Sequence, residues 1–249
     1  MVKKLVQLKK EYCNYLDRKA RHIAYLLKRN KKVTKLLLDY ISELYDCANT
    51  EKDFSNDYFQ SAYHQPITSD LEFMLARILY HYSNLYKLNW VISLRKQKKN
   101  VETGKMVAPD IKIEKEGRII AIIEIKAKAG WMQPFFSEKR ELKDKELGRH
   151  PEKKINESRD QLLKYACLDN CQKNNVFVFL PTFIHVDRKK YNDTIDSYRK
   201  TFAKNSTLNE ENLIILSENT SLNLTLSNER QDYQPTGDFE HFVNKLKRL

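Results

Sequence analysis

The sequence predicts an α/β domain preceded by a helical arm, with a helix, three strands, a helix and a strand following one another in the main domain. Three observations lead there. Residues 1–48 contain no Gly or Pro and place apolar side chains at helical spacing. Residues 108–129 hold two apolar strands joined by a short Lys-Glu-Gly turn. Residues 175–186, NVFVFLPTFIHV, form the continuous apolar run expected of a strand buried on both faces.

Taken in order, Leu5, Leu8, Tyr12, Leu16, Ile23 and Leu27 mark the buried stripe of an N-terminal helix pair that breaks near Asn30. Residues 49–68 are polar, turn-rich and closed by Pro66, which reads as a linker. The chain therefore divides into a basic helical region with its linker, 1–65, and a main domain, 66–249. A helix from Ser69 to about Tyr86 opens the latter, with Leu71, Met74, Leu75, Ile78, Leu79, Tyr82 and Leu85 as its stripe. Strands follow at 90–95, 108–114 and 118–129, then a long polar segment, a helix from about Pro151 to Leu168, and the strand at 175–186. Beyond them the sequence predicts a helix at 188–203, strands at 212–217 and 221–227, and a last helix over 238–248.

Charge is the strongest global signal. The 249 residues carry 45 Lys and Arg against 33 Asp and Glu, a net +12. The first 35 residues hold twelve of the basic side chains against only Glu11 and Asp17. Such a balance points to a polyanionic partner, most often nucleic acid, although a solvated helix face has the same composition. The four cysteines form no CxxC pair, which argues against a zinc module and against a disulfide framework. The start lacks the apolar run of a signal peptide and no run of eighteen apolar residues occurs, so a soluble, cytoplasmic protein without membrane association is expected. With five glycines and no Gly-rich phosphate loop, no nucleotide cofactor is expected. The histidines form no nucleophile or metal pair; His22 and His81 read as structural.

The hairpin at 108–131 carries the chemistry. Asp110, Glu124 and Lys126 sit in a hairpin whose neighbours are Ile111, Ile113, Ile119, Ile120, Ile122, Ile123 and Ile125. An unpaired buried carboxylate costs several kcal/mol, roughly, so three ionisable groups there need a common explanation. Glu124 and Lys126 are two apart and share a face. Asp110 joins them only if the Lys115 to Arg118 turn has odd parity or the hairpin bulges, for which Gly117 offers a left-handed position; a plain Glu116-Gly117 turn would point the carboxylates apart. Two carboxylates without His or Cys suit Mg²⁺, with Mn²⁺ as substitute, and a Lys beside them can act on water or stabilise a phosphorane-like transition state. The competing structural reading is a surface hairpin with a solvated Asp110–Lys126 salt bridge.

Pro109-Asp110 followed by Glu124-Ile125-Lys126 resembles the motif of the PD-(D/E)xK nuclease superfamily, and Gln161-Leu-Leu-Lys-Tyr165 resembles the QxxxY element of its RecB-type exonuclease branch. The resemblance covers roughly residues 69–186. It implies a restriction-endonuclease-like core, α-β-β-β-α-β, with a mixed sheet flanked by helices. It further implies that Asp110 and Glu124 hold the metal with the Ile125 carbonyl, that Lys126 acts on the attacking water, and that Gln161 and Tyr165 lean over the site. Glu72 would be a metal-linked Glu of the preceding helix by the same resemblance. Its spacing from Ser69 is equally that of a capping box.

The implied activity is hydrolysis of DNA phosphodiester bonds, most of all by a type II restriction endonuclease acting as a homodimer. A junction resolvase, an exonuclease, or a DNA-binding module that has lost catalysis are the alternatives. Expected DNA contacts are Lys96, Lys98 and Lys99 before the second strand, Lys128 after the third, Lys139, Arg140, Lys143 and Arg149 in the long loop, and Tyr165. Trp131, Phe135 and Phe136 sit at the root of that loop.

Overall fold

The computed structural model describes residues 2–50, 67–100, 104, 106–126, 159–166, 168, 171, 175–181, 199–200, 202–203, 208–217 and 234–249. Three helices come first, α1 (Val2–Lys28), α2 (Thr34–Thr50) and α3 (Thr68–Tyr86). The break between α1 and α2 falls where the sequence places it. Asn30 takes a left-handed φ of 55°, tolerated by Asn at helix ends, and the N–H groups of Asn30 and Lys31 close back on the Leu27 and Leu26 carbonyls.

The segment read as an arm packs along α3. Leu16, Ala20, Ile23, Ala24 and Leu27 of α1 share one core with Leu71, Met74, Leu75, Ile78 and Tyr82 of α3 and with the sheet. At its margin Asp17 pairs with the Arg77 guanidinium and, at 2.8 Å, with His81 Nε2. His81 is thus structural, and His22 meets the Tyr40 hydroxyl at 2.9 Å. The described side chains from Lys4 to Glu11 are the part of α1 left fully exposed.

The strands are β1 (Val91–Leu94), β2 (Lys98–Lys99), β3 (Met106–Val107), β4 (Ile111–Lys115), β5 (Arg118–Ile125), β6 (Val176–Leu180) and β7 (Leu213–Ile215), and α4 (Asp238–Lys247) follows. Five form a mixed sheet in the order β1-β4-β5-β6-β7. β1, β4 and β5 run antiparallel as a meander, while β6 and β7 add in parallel to β5. The β2–β3 ribbon is separate and is absent from the sequence reading. Helical residues at 159–165, between β5 and β6, match the helix expected there. The chain is thus a mixed α/β structure with a five-stranded sheet flanked by helices. The strand read at 221–227 and most of the helix at 188–203 lie outside the described residues.

Alternation divides the sheet's side chains between two layers. Ile111, Ile113, Ala121, Ile123, Ile125, Phe177, Phe179 and Ile214 face α1–α3 and α4. Ile122, Val176, Val178, Leu180, Leu213 and Ile215 face the other way, onto Leu162, Tyr165, Phe202 and Leu208. In β6 each successive residue changes layer and all five are buried, which explains why its sequence reads as an unbroken apolar run. The last helix also reaches back to the first pair. Glu240 of α4 accepts hydrogen bonds from the Val33 and Thr34 N–H groups and from the Thr34 hydroxyl, capping α2. Among the described residues no helix is long and apolar enough to cross a membrane.

Candidate active site

Asp110 and Glu124 come to one face through a bulge, and not through the turn. Glu116 and Gly117 have φ of 51° and 77°, the positive pair of a plain two-residue hairpin turn closed by Lys115 and Arg118. Continued without interruption, that register would set Asp110 opposite Ile123 and turn Glu124 to the opposite layer. Of the two routes the sequence left open, odd parity in the turn or a bulge, the second is the one formed, away from Gly117. Further along the ladder Glu114 pairs with Ile119 but Ile113 pairs with Ala121, so Ile120 is the extra residue of a β-bulge. Ile120 and Ala121 consequently both pack toward the α3 layer. Beyond the bulge Ile111 pairs with Ile123, and Asp110, one residue earlier, stands across from Glu124.

The carboxylates are held from several sides. Asp110, in the bend just before β4, accepts the Ile125 N–H on Oδ2 at 2.7 Å. Glu124 has a side chain 5 % exposed. Its Oε1 accepts from Lys126 Nζ at 2.6 Å and from Gln161 Nε2 at 2.8 Å, and its Oε2 from the Tyr165 hydroxyl at 3.0 Å. Gln161 closes the network: its Oε1 accepts from Lys126 Nζ at 2.9 Å, and its Nε2 also donates to the Tyr165 oxygen at 2.8 Å. Gln161 and Tyr165 are one helical turn apart, as their spacing predicts. Lys126 pairs with the buried Glu124 and not with Asp110, so the solvated salt bridge offered as the competing reading is not formed.

Electrostatics mark the pair as strained. Burial first, and then the nearby Glu124 charge, push the Asp110 carboxyl up to about 6 from its ordinary 3.8, against the Ile125 hydrogen bond and the Lys126 charge. Burial and Glu124 likewise push the Tyr165 hydroxyl well above its ordinary value, which keeps it a donor. Two carboxylates so close, one of them resisting ionisation, form a place where a cation would be favoured. Among the described residues no group of three or more His, Cys, Asp or Glu side chains is arranged to hold a metal, which leaves Asp110 and Glu124 as the side-chain donors a cation would meet here. Mg²⁺ is commonly held by one or two carboxylates while it keeps several waters, and the donor set fits that habit.

Two expectations change. Glu72 is not a helix cap: α3 begins one residue before Ser69, its N-cap position is Ile67, and no side chain caps it. Its carboxylate, 3 % exposed, instead receives Nε and Nη2 of Arg95, both at 2.7 Å. Tyr165 is 4 % exposed and acts through Glu124, so it offers no surface to a nucleic acid. Lys96 and Lys99 are exposed beside the β2–β3 ribbon. Asn100 ties that ribbon to the Gln161 helix by donating from Nδ2 to the Lys164 carbonyl at 2.8 Å. Lys98 lies in β2, but its side chain is outside the described residues, as are Lys128, Lys139, Arg140, Lys143 and Arg149.

Arg95 is the site residue that the sequence reading passed over, since no local pattern distinguishes it from its basic neighbour Lys96. No protein family, curated protein or solved structure matches this chain.

Proposed function

We propose that this protein is a metal-dependent deoxyribonuclease with a restriction-endonuclease-like core, hydrolysing phosphodiester bonds in DNA. The observation that carries the reading is the placement of Asp110 across from Glu124 with Lys126 on the same face, supported by Gln161 and Tyr165. The order of helix, three antiparallel strands, helix and parallel strand agrees with it.

Asp110, Glu124 and the Ile125 carbonyl would hold Mg²⁺, or Mn²⁺ in its place. The cation would supply Lewis-acid polarisation of the phosphodiester and a water of lowered pKa. The chain's own groups do the rest. The Ile125 N–H fixes Asp110 Oδ2 and leaves Oδ1 for coordination. Gln161 and Tyr165 hold Glu124 by both oxygens, so the carboxylate cannot rotate away when a ligand binds. Lys126 directs two of its three N–H bonds at Glu124 and Gln161, and the third is available to a water or to a phosphate oxygen as charge develops. The basic balance of the chain and exposed Lys96 and Lys99 suit a polyanionic substrate.

Within this class a type II restriction endonuclease working as a homodimer is the first reading. The contacts of Gln161 and Tyr165 with Glu124 favour a second, an exonuclease or other repair nuclease of the RecB-type branch. Incubation with plasmid, linear duplex, single strands and a four-way junction, in Mg²⁺ and in EDTA, separates these. Discrete fragments indicate a site-specific endonuclease, a ladder shrinking from the ends an exonuclease, and cleavage confined to junctions a resolvase. Binding without cleavage in either Mg²⁺ or Mn²⁺ would leave only an inactive DNA-binding module.

A further inference from the structure

We propose that Arg95 is the phosphate anchor of this site and that Glu72 is its positioning residue rather than a metal ligand; the inference rests on the DNA-directed reading above. Arg95 leaves the end of β1 with φ of 44°, a left-handed conformation that a side-chain-bearing residue adopts only where its surroundings hold it. Its own N–H donates to the Asp110 carbonyl at 3.1 Å, so its backbone is tied to that of the first carboxylate. Its side chain grips Glu72 through Nε and Nη2.

The pair is unequal in a way that a plain core ion pair is not. The Glu72 side chain is 3 % exposed and that of Arg95 is 57 % exposed. A guanidinium has two edges able to form paired hydrogen bonds. Glu72 occupies the Nε–Nη2 edge and thereby orients the group, while the edge bearing Nη1 remains for a pair of phosphate oxygens. Its backbone bond to Asp110 and its largely exposed side chain set that guanidinium beside the carboxylate pair, whose charges it feels, where a phosphodiester held for cleavage would sit. Conversely, both Glu72 oxygens accept from the Arg95 guanidinium, and among the described residues no group of three acidic side chains gathers to hold a metal, which sets Glu72 apart from the Asp110–Glu124 pair.

The test compares wild type with two charge-free replacements of the pair, Glu72→Gln/Arg95→Gln and Glu72→Met/Arg95→Leu. Both leave the net charge of the protein unchanged. The apolar version is included because exchanging an ion pair for apolar residues is often neutral or stabilising, so that a folded variant with near wild-type melting is in hand. Binding of a fluorescein-labelled duplex is followed by anisotropy in EDTA across salt concentrations, and cleavage in Mg²⁺. The inference expects the slope of log affinity against log salt to fall by about one, the signature of a lost phosphate contact, with slower cleavage at saturating DNA. An unchanged slope in a folded variant overturns it, whether or not wild type cleaves. A reduced slope in a protein that binds DNA but never cleaves upholds the Arg95 anchor and refutes the nuclease. Failure of wild type to bind DNA at all overturns both.

Discussion

Replacing Asp110 by Asn should make the metal-free protein more stable while abolishing the proposed nuclease activity. The carboxyl titrates near 6 in place of 3.8 because burial and the Glu124 charge oppose its ionisation. A shift of that size costs the folded state at most about 3 kcal/mol at neutral pH, and solvent screening at a partly open site reduces this to about 1–2 kcal/mol. Asn keeps an oxygen to accept the Ile125 N–H and never ionises. For a chain of this length the gain corresponds to roughly 2–8 °C in Tm. The sign with pH follows from proton binding. Folded Asp110 holds its proton more tightly than unfolded Asp110, so wild type loses stability as pH rises from about 4 to about 6 and carries the full penalty above that. The advantage of Asp110→Asn should therefore be near zero around pH 4 and complete above about pH 7. Thermal melts of both proteins in EDTA at several pH values measure this. Added Mg²⁺ should raise the Tm of wild type and leave that of Asp110→Asn in place, because only wild type binds the cation. An Asn variant no more stable than wild type at pH 8 in EDTA, or one equally stabilised at pH 4 and pH 8, would refute the claim that Asp110 and Glu124 repel one another.

Other consequences follow from single contacts. Glu240→Gln weakens the charged cap on α2 and should lower stability by about 1–3 kcal/mol, seen as a lower urea midpoint. Burial alone would raise the Glu240 carboxyl, but the Thr34 and Val33 donors outweigh it and hold it below its ordinary 4.5. The wild-type advantage is thus complete above about pH 5 and shrinks as pH falls through the lowered folded value, and a pH-independent difference would count against the cap. Glu116→Asn places a residue better suited to positive φ in the exposed turn and should add about 0.5–1 kcal/mol without altering cleavage; a loss of stability would mean that the turn is not the plain two-residue kind.

How much of this was legible depends on range. The α1–α2 break at Asn30, the helix to Tyr86, the strands β1, β4, β5 and β6 and the placement of Gln161 and Tyr165 on one face are local matters, set by periodicity and turn chemistry within a few residues. The position of the bulge at Ile120 was not legible, because Ile119-Ile120-Ala121-Ile122-Ile123 is uniformly apolar and either register buries isoleucine. Only the coincidence of three ionisable groups hinted that the parity had to change. Glu72 read as a cap because Ser69-x-x-Glu is a local signature, yet the helix started one residue early and Arg95, 23 positions away, took the carboxylate. The Glu240 cap on α2 spans more than two hundred residues, a distance over which sequence spacing carries no signal.

The central claim, that Asp110, Glu124 and Lys126 form one hydrolytic site, is tested most directly by single-turnover cleavage of a labelled duplex in Mg²⁺ by wild type and Lys126→Met, with DNA affinity measured alongside. Lys126 is partly exposed at 27 % and Glu124 keeps its Gln161 and Tyr165 donors, so the variant should stay folded, at some cost in stability, with DNA binding nearly unchanged. The account expects wild type to cleave, EDTA to stop it, and Lys126→Met to cleave slower by about a hundredfold or more at similar affinity. A Lys126→Met variant that is folded and cleaves at the wild-type rate would contradict it.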